Sequence, residues 1–182
     1  MKIHSIFLSV AFAATAVFLM GTASCEKFME DPEKYVTEEA DKTPRYVVTI
    51  NDIVKYKRAD ILEIDVDSFF GGTVCINKNS RLHSKDIMKI ELVPRANNKE
   101  FFDLKLTLSP RGQKIWSTFA ISSADSDRLA VLIDGMYYRS FTPVFLTEPE
   151  VKDVVLQGPF DPATAKGITI NAERNYKIFN NL

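Results

Sequence analysis

Apolar and polar residues alternate along much of this chain, and the pattern predicts a domain rich in β-strands. Short runs rich in β-branched residues occur at 45–50, 61–66 and 71–77, and further alternating runs fall within 90–108 and 129–157. Strict alternation is the signature of a strand that buries one face. The ten residues 51–60 lack this pattern and fit either a loop or a short helix.

Two segments carry the signals of a helix start. In each, a residue that can cap a helix precedes proline, which is favoured at the first helical position: Ser109 with Pro110, and Asp161 with Pro162. Apolar residues then follow at helical spacing at Ile115, Trp116, Phe119, Ala165, Ile168 and Ala172. Gly167 should weaken the second helix by about 1 kcal/mol relative to alanine unless a close contact needs it.

These elements together predict an α+β fold, with a mixed, mostly antiparallel sheet and two main helices on one face. Ser84 is placed to cap a short additional helix before the strands of 90–108. Asp134 and Gly135 separate two apolar runs, as a hairpin turn or as a catalytic carboxylate at a strand end. Both central positions of a tight hairpin favour this pair, so we expect a turn.

The first residues have the features of a lipoprotein signal peptide. Lys2 precedes an apolar run at 6–20 and a small-residue site, and "TASC" (22–25) resembles a lipobox that ends in Cys25. The resemblance implies that Cys25 carries the lipid and that the protein is anchored in a bacterial cell envelope, at the periplasmic or outer-membrane surface. Ordinary signal cleavage and an uncleaved anchor remain as alternatives.

The segment after Cys25 is acidic, and this composition is typical of a solvated tether. The predicted organisation is therefore a signal peptide at 1–24, an acidic tether at 25–44 and a single α+β domain at 45–182. With a formal net charge of −1 and no basic cluster, nucleic acid is not an expected partner.

Candidate catalytic and metal-binding chemistry is sparse in the sequence. His83, expected in a loop, has no Cys or His partner at ligand spacing, and Cys75 fits a buried inert thiol better than a bridge between molecules. Asp65 and Asp67 share one face of a strand, which suits a solvent-facing edge better than a cation site. Phosphate-binding and nucleophile motifs are not found, so we expect no metal, no cofactor and no enzymatic activity.

From about residue 74 onward, the order of motifs resembles the head subdomain of the first periplasmic domain of SecD, an accessory subunit of the bacterial Sec translocon. Four segments carry the resemblance: "INKNSRLHSKDI" (76–87), "LKLTLSPRGQKIWSTF" (104–119), "RLAVLIDGMYYRSFTPVF" (128–145) and "VVLQGPFDPATAKGI" (154–168). The third matches the family's apolar strand and Asp-Gly hairpin, with Pro143 in place. The last matches a strand-to-helix junction through Gly158, Phe160 and Ala165.

This resemblance implies a small α+β domain and, by analogy, contact with polypeptide during export. The first functional hypothesis is accordingly a non-enzymatic, lipid-anchored module that binds extended polypeptide or a protein partner. Its candidate surface comprises Tyr137, Tyr138, Phe141 and Phe145, which should be exposed if they bind and buried if they are core. The alternative hypothesis is a structural or assembly subunit of an envelope complex with one fixed partner.

Overall fold

The computed structural model describes residues 42–58, 61–122, 128–143 and 151–182. The signal peptide, Cys25 and the tether up to residue 41 lie outside the described residues. The compact unit begins at Pro44 and runs to Leu182.

The strands of the described chain form three antiparallel sheets. The strands are β1 (Val48–Asp52), β2 (Glu63–Asp67), β3 (Thr73–Asn77), β4 (Leu82–His83), β5 (Ile87–Pro94), β6 (Phe102–Leu108), β7 (Leu129–Ile133), β8 (Met136–Phe141) and β9 (Asp153–Phe160). Sheet A has the order β4-β1-β7-β8, sheet B pairs β2 with β3, and sheet C has the order β5-β6-β9.

Both predicted helices are present and begin where the sequence indicated. Helix α1 spans Pro110–Ser122 and α2 spans Pro162–Asn180. The Ser109 hydroxyl accepts a hydrogen bond from the Gly112 N–H at 3.1 Å, and the Asp161 carboxylate accepts one from the Thr164 N–H at 3.0 Å. These bonds satisfy main-chain donors that a helix start leaves unpaired.

The main core collects apolar side chains from sheets A and C and from both helices. In β9 every second residue is buried, and in α2 the predicted stripe of Ala165, Ile168 and Ala172 faces this core. A second, smaller core lies between sheets A and B, where Ile76 of β3 packs with Ala130 and Leu132 of β7. Strand β7 is therefore buried on both faces.

The predicted α+β class is confirmed, since antiparallel sheets and two main helices form the unit. The difference lies in the number of sheets, which is three among the described residues. The apolar residues Ala130 and Leu132 lie on the second face of β7. Sheet B packs over them and buries their side chains away from water. Residues 51–52 extend β1, and residues 53–58 contain no helix.

The Asp134–Gly135 pair forms the predicted hairpin turn between β7 and β8. Both residues have positive φ, 49° and 82°, as a type I′ turn requires. The Asp134 carboxylate also accepts hydrogen bonds from the Tyr46 N–H at 3.0 Å and the Val47 N–H at 2.7 Å. The turn thus holds Tyr46 and Val47, near the first residue of the compact unit, by hydrogen bonds.

The same entry segment is held by helix α2. The Asn175 side chain, almost fully buried, accepts a hydrogen bond from the Arg45 N–H at 3.2 Å and donates one to the Arg45 carbonyl at 2.7 Å. The ring of Tyr46 lies against Gly167, where a Cβ would overlap it. This is the close contact that explains glycine inside α2.

Candidate binding surface

Two of the predicted surface aromatics are core residues instead. The side chain of Tyr138 is 4% exposed and that of Phe141 is 9% exposed, so neither forms an accessible surface. Tyr137 is half-buried and packs against the small core between sheets A and B, while Phe145 lies outside the described residues. Of the two alternatives that the sequence left open, core and binding surface, Tyr138 and Phe141 therefore take the first and drop out of the candidate surface.

A β-bulge explains why the alternation along β8 misled the prediction. Arg139 pairs with Val131 and Tyr137 pairs with Leu132, so Tyr138 is an extra residue in β8. A bulge shifts the phase of side chains relative to the sheet. As a result Tyr138 and Phe141, three residues apart, both point into the main core.

Aromatic side chains are nevertheless exposed beside this hairpin, and they come from the turn between β2 and β3. We call residues 68–72 the tip. Phe70 is 78% exposed and Phe69 is 45% exposed, while Gly71 and Gly72 complete the turn with φ of 91° and 80°. Exposed apolar residues in such a cluster are typical of an interaction site.

The tip is held against sheet A by its main chain. The Ser68 N–H donates to the Gly72 carbonyl at 3.0 Å and closes the turn. The Phe69 N–H donates to the Tyr137 carbonyl at 3.0 Å, and Ser68 forms a parallel bridge with Tyr137. The two exposed rings are therefore displayed from a fixed backbone.

The buried ring of Tyr138 packs against the exposed rings of Phe69 and Phe70. Its ring centroid lies 5.6 Å from that of Phe69 and 5.7 Å from that of Phe70, and it stacks on Phe160 at 5.3 Å. The Tyr138 hydroxyl donates to the Asp161 carboxylate at 2.7 Å and accepts from the Asp161 N–H at 3.0 Å. The ring of Tyr138 thus connects Phe69 and Phe70 of the tip to Phe160, and its hydroxyl connects them to Asp161 at the start of α2.

The protonation states of this pair suit the hydrogen bonds. Burial raises the pKa of Tyr138, so its hydroxyl keeps its proton and donates. Burial alone would raise the pKa of Asp161, but hydrogen bonds from the Thr164 N–H and from Tyr138 outweigh it and lower that pKa. Asp161 is accordingly ionised at neutral pH and can cap α2 and hold Tyr138 together.

The sequence contained a signal for the tip that the alternation pattern did not reveal. In "SFFGG" (68–72), two phenylalanines stand directly before two glycines. Glycines of positive φ mark a turn, and a turn exposed to solvent is normally polar. Two large aromatic residues at that position are an exception that points to a contact surface.

The solvent face of β2 carries the acidic residues expected there. Asp65 and Asp67 are exposed, and the Asp65 carboxylate lies 3.4 Å from the Lys57 ammonium. Cys75 lies directly across from Asp65 in β3 and is half-buried, so the prediction of a buried thiol is wrong. Partial burial and the Asp65 carboxylate raise the pKa of Cys75 and disfavour the reactive thiolate.

His83 has a structural role at the end of β4 and does not lie in a loop. Its Nδ1 accepts a hydrogen bond from the Lys85 N–H at 3.1 Å and caps the short 3-10 helix Ser84–Asp86. Its ring meets the ring of Phe179 edge-on at 4.5 Å. Ser84, predicted as the cap, is buried instead and bonds the main chain of Val48.

We expect His83 to make the protein less stable in mild acid. Burial lowers the pKa of His83, with a further contribution from Lys85, so the folded state favours the neutral ring. The stabilisation is complete above the unfolded pKa of about 6.5 and is lost as the pH falls below it. Urea unfolding at pH 7.5 and 5.5 measures the loss.

The variant His83→Asn provides the control for this prediction. Asparagine is a good capping residue and does not titrate in this range. The difference in stability between the two pH values should therefore be smaller in the variant than in the wild type. An equal difference in both proteins would contradict the assignment to His83.

Metal-binding clusters and membrane-spanning helices are both missing from the described residues. No group of three or more His, Cys, Asp or Glu side chains that could hold a metal ion occurs within them. No helix in that part of the chain is sufficiently long and apolar to cross a membrane.

Comparison with known proteins relates the fold to SecDF. No family model matches the sequence, and no curated protein matches it significantly. A structure of SecDF, described as a membrane component that enhances protein export, aligns with 80% of this chain and 68% of its own, with a TM-score of 0.50 and 15% identity.

A second SecDF structure, in a super-membrane-facing form, aligns with 72% of this chain at a TM-score of 0.49 and 15% identity. The present chain spans only 19% of the length of that SecDF chain. The likeness to the first of these SecDF structures, at 15% identity, is one of fold. The domain therefore has a SecD-like α+β fold.

Proposed function

We propose that this protein is a non-enzymatic, lipid-anchored protein of the bacterial envelope whose SecD-like domain binds polypeptide in connection with protein export. Cys25 is the proposed site of the lipid. The tip, with Phe69 and Phe70, is the proposed contact surface in place of Tyr138 and Phe141.

The observation that carries this proposal is the exposure of two adjacent aromatic rings on a fixed backbone. Phe70 exposes 78% of its side chain, yet its neighbour Tyr138 is buried and hydrogen-bonded to Asp161. Aromatic side chains provide large contact areas at a small cost in conformational entropy. Such a surface suits apolar segments of many sequences.

The shared fold suggests the process in which this binding would take part. SecDF, with which the domain shares its fold, is described as enhancing protein export. Fold alone does not transfer function, so the proposal depends on the tip. A test must therefore address the tip directly in cells.

Photo-crosslinking at Phe70 tests the proposed function. A photoreactive phenylalanine derivative replaces Phe70 in the full chain, and captured proteins are identified by mass spectrometry after irradiation of living cells. We expect a range of secretory polypeptides to be captured. The same residue placed at Asn97, in the exposed turn between β5 and β6, is the matched control and should capture far less.

The other outcomes have definite meanings. A single discrete protein captured at position 70 would replace polypeptide binding by the alternative of an assembly subunit with one fixed partner. Equal capture at positions 70 and 97, or no capture at position 70 in the folded protein, would reject the tip as the contact surface.

A further inference from the structure

Strand β9 is the last strand of sheet C, and one of its edges faces away from the sheet. Among the described strands it pairs with β6 alone, and none of the isolated bridges involves it. The Leu108 N–H donates to the Lys152 carbonyl at 2.8 Å, so the main chain of Lys152 faces β6. Because the main-chain groups of successive residues point to opposite sides of a strand, those of Asp153, Val155 and Gln157 point away from β6.

The outward groups of these three residues are unpaired. Their main-chain N–H and C=O groups have no hydrogen-bond partner within the described ranges, neither in a strand pair nor in a turn nor on a side chain. A row of unpaired main-chain groups at a sheet edge is a template for an added strand. The outer edge of β9 therefore meets the first requirement for strand addition.

A groove runs beside this edge. Its volume is about 190 Å³, and Val155 and Gln157 belong to its lining on the β9 side. Trp116 of α1, together with Phe141 and Thr142 at the end of β8, lines the other side. The rings of Trp116 and Phe141 stack in the main core with centroids 6.0 Å apart, and each is 9% exposed. The small exposed parts of both rings give the groove an apolar wall.

The two faces of β9 determine which side chains of an added strand would enter the groove. Val154 and Leu156 point into the main core, to which Trp116 and Phe141 also belong, whereas Val155 lies on the solvent face. Neighbouring strands lie about 4.8 Å apart and share the same two faces. Every second side chain of an added strand would thus meet the apolar wall, and the others would face solvent.

The groove favours a foreign polypeptide over a second copy of this chain. The β9 strand of a second copy would present Val154 and Leu156 on the core face, but these side chains are 5% and 0% exposed because they fill the core of their own domain. None of them would remain to enter the groove. An extended polypeptide has free side chains on both faces and can fill it.

We propose that β9 binds an extended polypeptide by strand addition, with an apolar side chain of the bound segment in the groove against Trp116 and Phe141. The inference rests on the proposed function and adds a second contact to that of the tip. Phe160, at the end of β9, stacks on Tyr138, whose ring also contacts the rings of the tip. Main-chain pairing contributes affinity that depends little on sequence, while the groove selects an apolar residue.

The first test uses the purified full chain and labelled eight-residue peptides in fluorescence anisotropy titrations. One peptide alternates leucine with threonine, and the other alternates serine with threonine. We expect the leucine peptide to bind at least about tenfold more tightly, because burial of a leucine side chain stabilises the complex far more than burial of a serine. Equal affinities would contradict the role of the groove.

N-methylation separates strand addition from simple apolar attraction. Two derivatives of the leucine peptide carry N-methyl groups on all leucines or on all threonines. The N–H groups of alternate residues point to opposite sides of a strand, so one derivative should lose at least about tenfold in affinity and the other much less. Equal binding by both derivatives would overturn the proposal.

The variant Val155→Pro tests the edge on the protein. Proline lacks an N–H and is tolerated in edge strands where that N–H faces solvent, so the bonds between β6 and β9 keep their donors. The leucine peptide should bind this variant at least about fivefold more weakly. Val155→Thr keeps the N–H and should bind the peptide like the wild type. Equal binding by both variants, with folding verified by circular dichroism, would reject β9 as the edge used.

The variant Thr142→Tyr tests the groove and leaves β9 unchanged. Thr142 is exposed and lines the groove, so a tyrosine there should occupy part of its volume and weaken the leucine peptide by at least about fivefold. Thr73→Tyr adds the same ring at an exposed position of sheet B and should leave the affinity unchanged. Equal affinities of the two variants would show that the peptide does not use the groove.

The remaining outcomes separate this inference from its rivals. If sedimentation velocity shows dimers that Val155→Pro abolishes, and neither peptide binds, β9 pairs with a second copy and the inference is wrong. If crosslinking at Phe70 captures secretory chains while the leucine peptide does not bind, the tip stands as the contact surface and strand addition at β9 is wrong. If neither result is obtained with folded protein, both proposals are wrong.

Discussion

Replacing Phe160 by alanine is expected to lower the free energy of unfolding by about 3–5 kcal/mol. The Phe160 side chain is fully buried at the end of β9, where it stacks on Tyr138 at 5.3 Å. Its removal deletes apolar contacts and leaves a cavity where sheet C, β8 and the start of α2 meet. Denaturant unfolding followed by Trp116 fluorescence measures the loss, since Trp116 is the only tryptophan and lies in the same core.

Val155→Ala is the matched control for this substitution. Val155 belongs to the same strand but is 50% exposed, so its truncation removes few buried contacts. We expect a change within about 0.5 kcal/mol. If both variants were equally stable, Phe160 would not hold the junction together.

Replacing Gly158 by alanine should also destabilise the protein strongly, by about 3 kcal/mol or more. A Cβ at this position would overlap the carbonyl oxygen of Phe102 in the neighbouring strand and would lie 2.8 Å from the N atom of Phe160. These are main-chain atoms, which cannot rotate away as a flexible side chain could. The β6–β9 pairing must therefore open locally to admit the methyl group.

Gln157→Ala on the adjacent, exposed position controls for changes in strand propensity. Unfolding of both variants by urea, followed by circular dichroism, gives the comparison. A Gly158→Ala protein as stable as Gln157→Ala would show that the strands can separate without cost. It would remove the steric explanation for glycine at the β9–α2 junction.

Local chemistry made the helices and the hairpin predictable from sequence. Ser109 and Asp161 cap the helices they were expected to cap, and the Asp134–Gly135 turn has the positive φ values that its residues favour. Each of these features depends on neighbours within four residues. The sequence therefore carries the whole physical cause.

Features that depend on distant parts of the chain were not predictable in this way. The bulge at Tyr138 changes which residues of β8 face the core, and it depends on the register with β7. The division into three sheets depends on what covers the second face of β7. The hydrophobic periodicity of one strand does not show in which register it pairs with another strand. It also does not show which sheet packs on its second face.

The candidate surface shows the same limit. Phe69 and Phe70 are exposed because the β2–β3 turn projects from the small second core, and they become a surface only where Tyr138 supports them. The pair was visible in the sequence, but its placement beside β8 required the Phe69–Tyr137 main-chain bond. Aromatic residues close together in sequence were a weaker guide than aromatic residues at a turn.

The fastening of Arg45–Val47 also has a mechanical consequence. A pulling force on the chain ahead of Arg45 would first load the two hydrogen bonds to Asn175 and the bonds to Asp134, before it reached the pairing of β1 with β7. The entry segment would therefore transmit such a force to helix α2 and to the β7–β8 turn before the β1–β7 pairing is loaded.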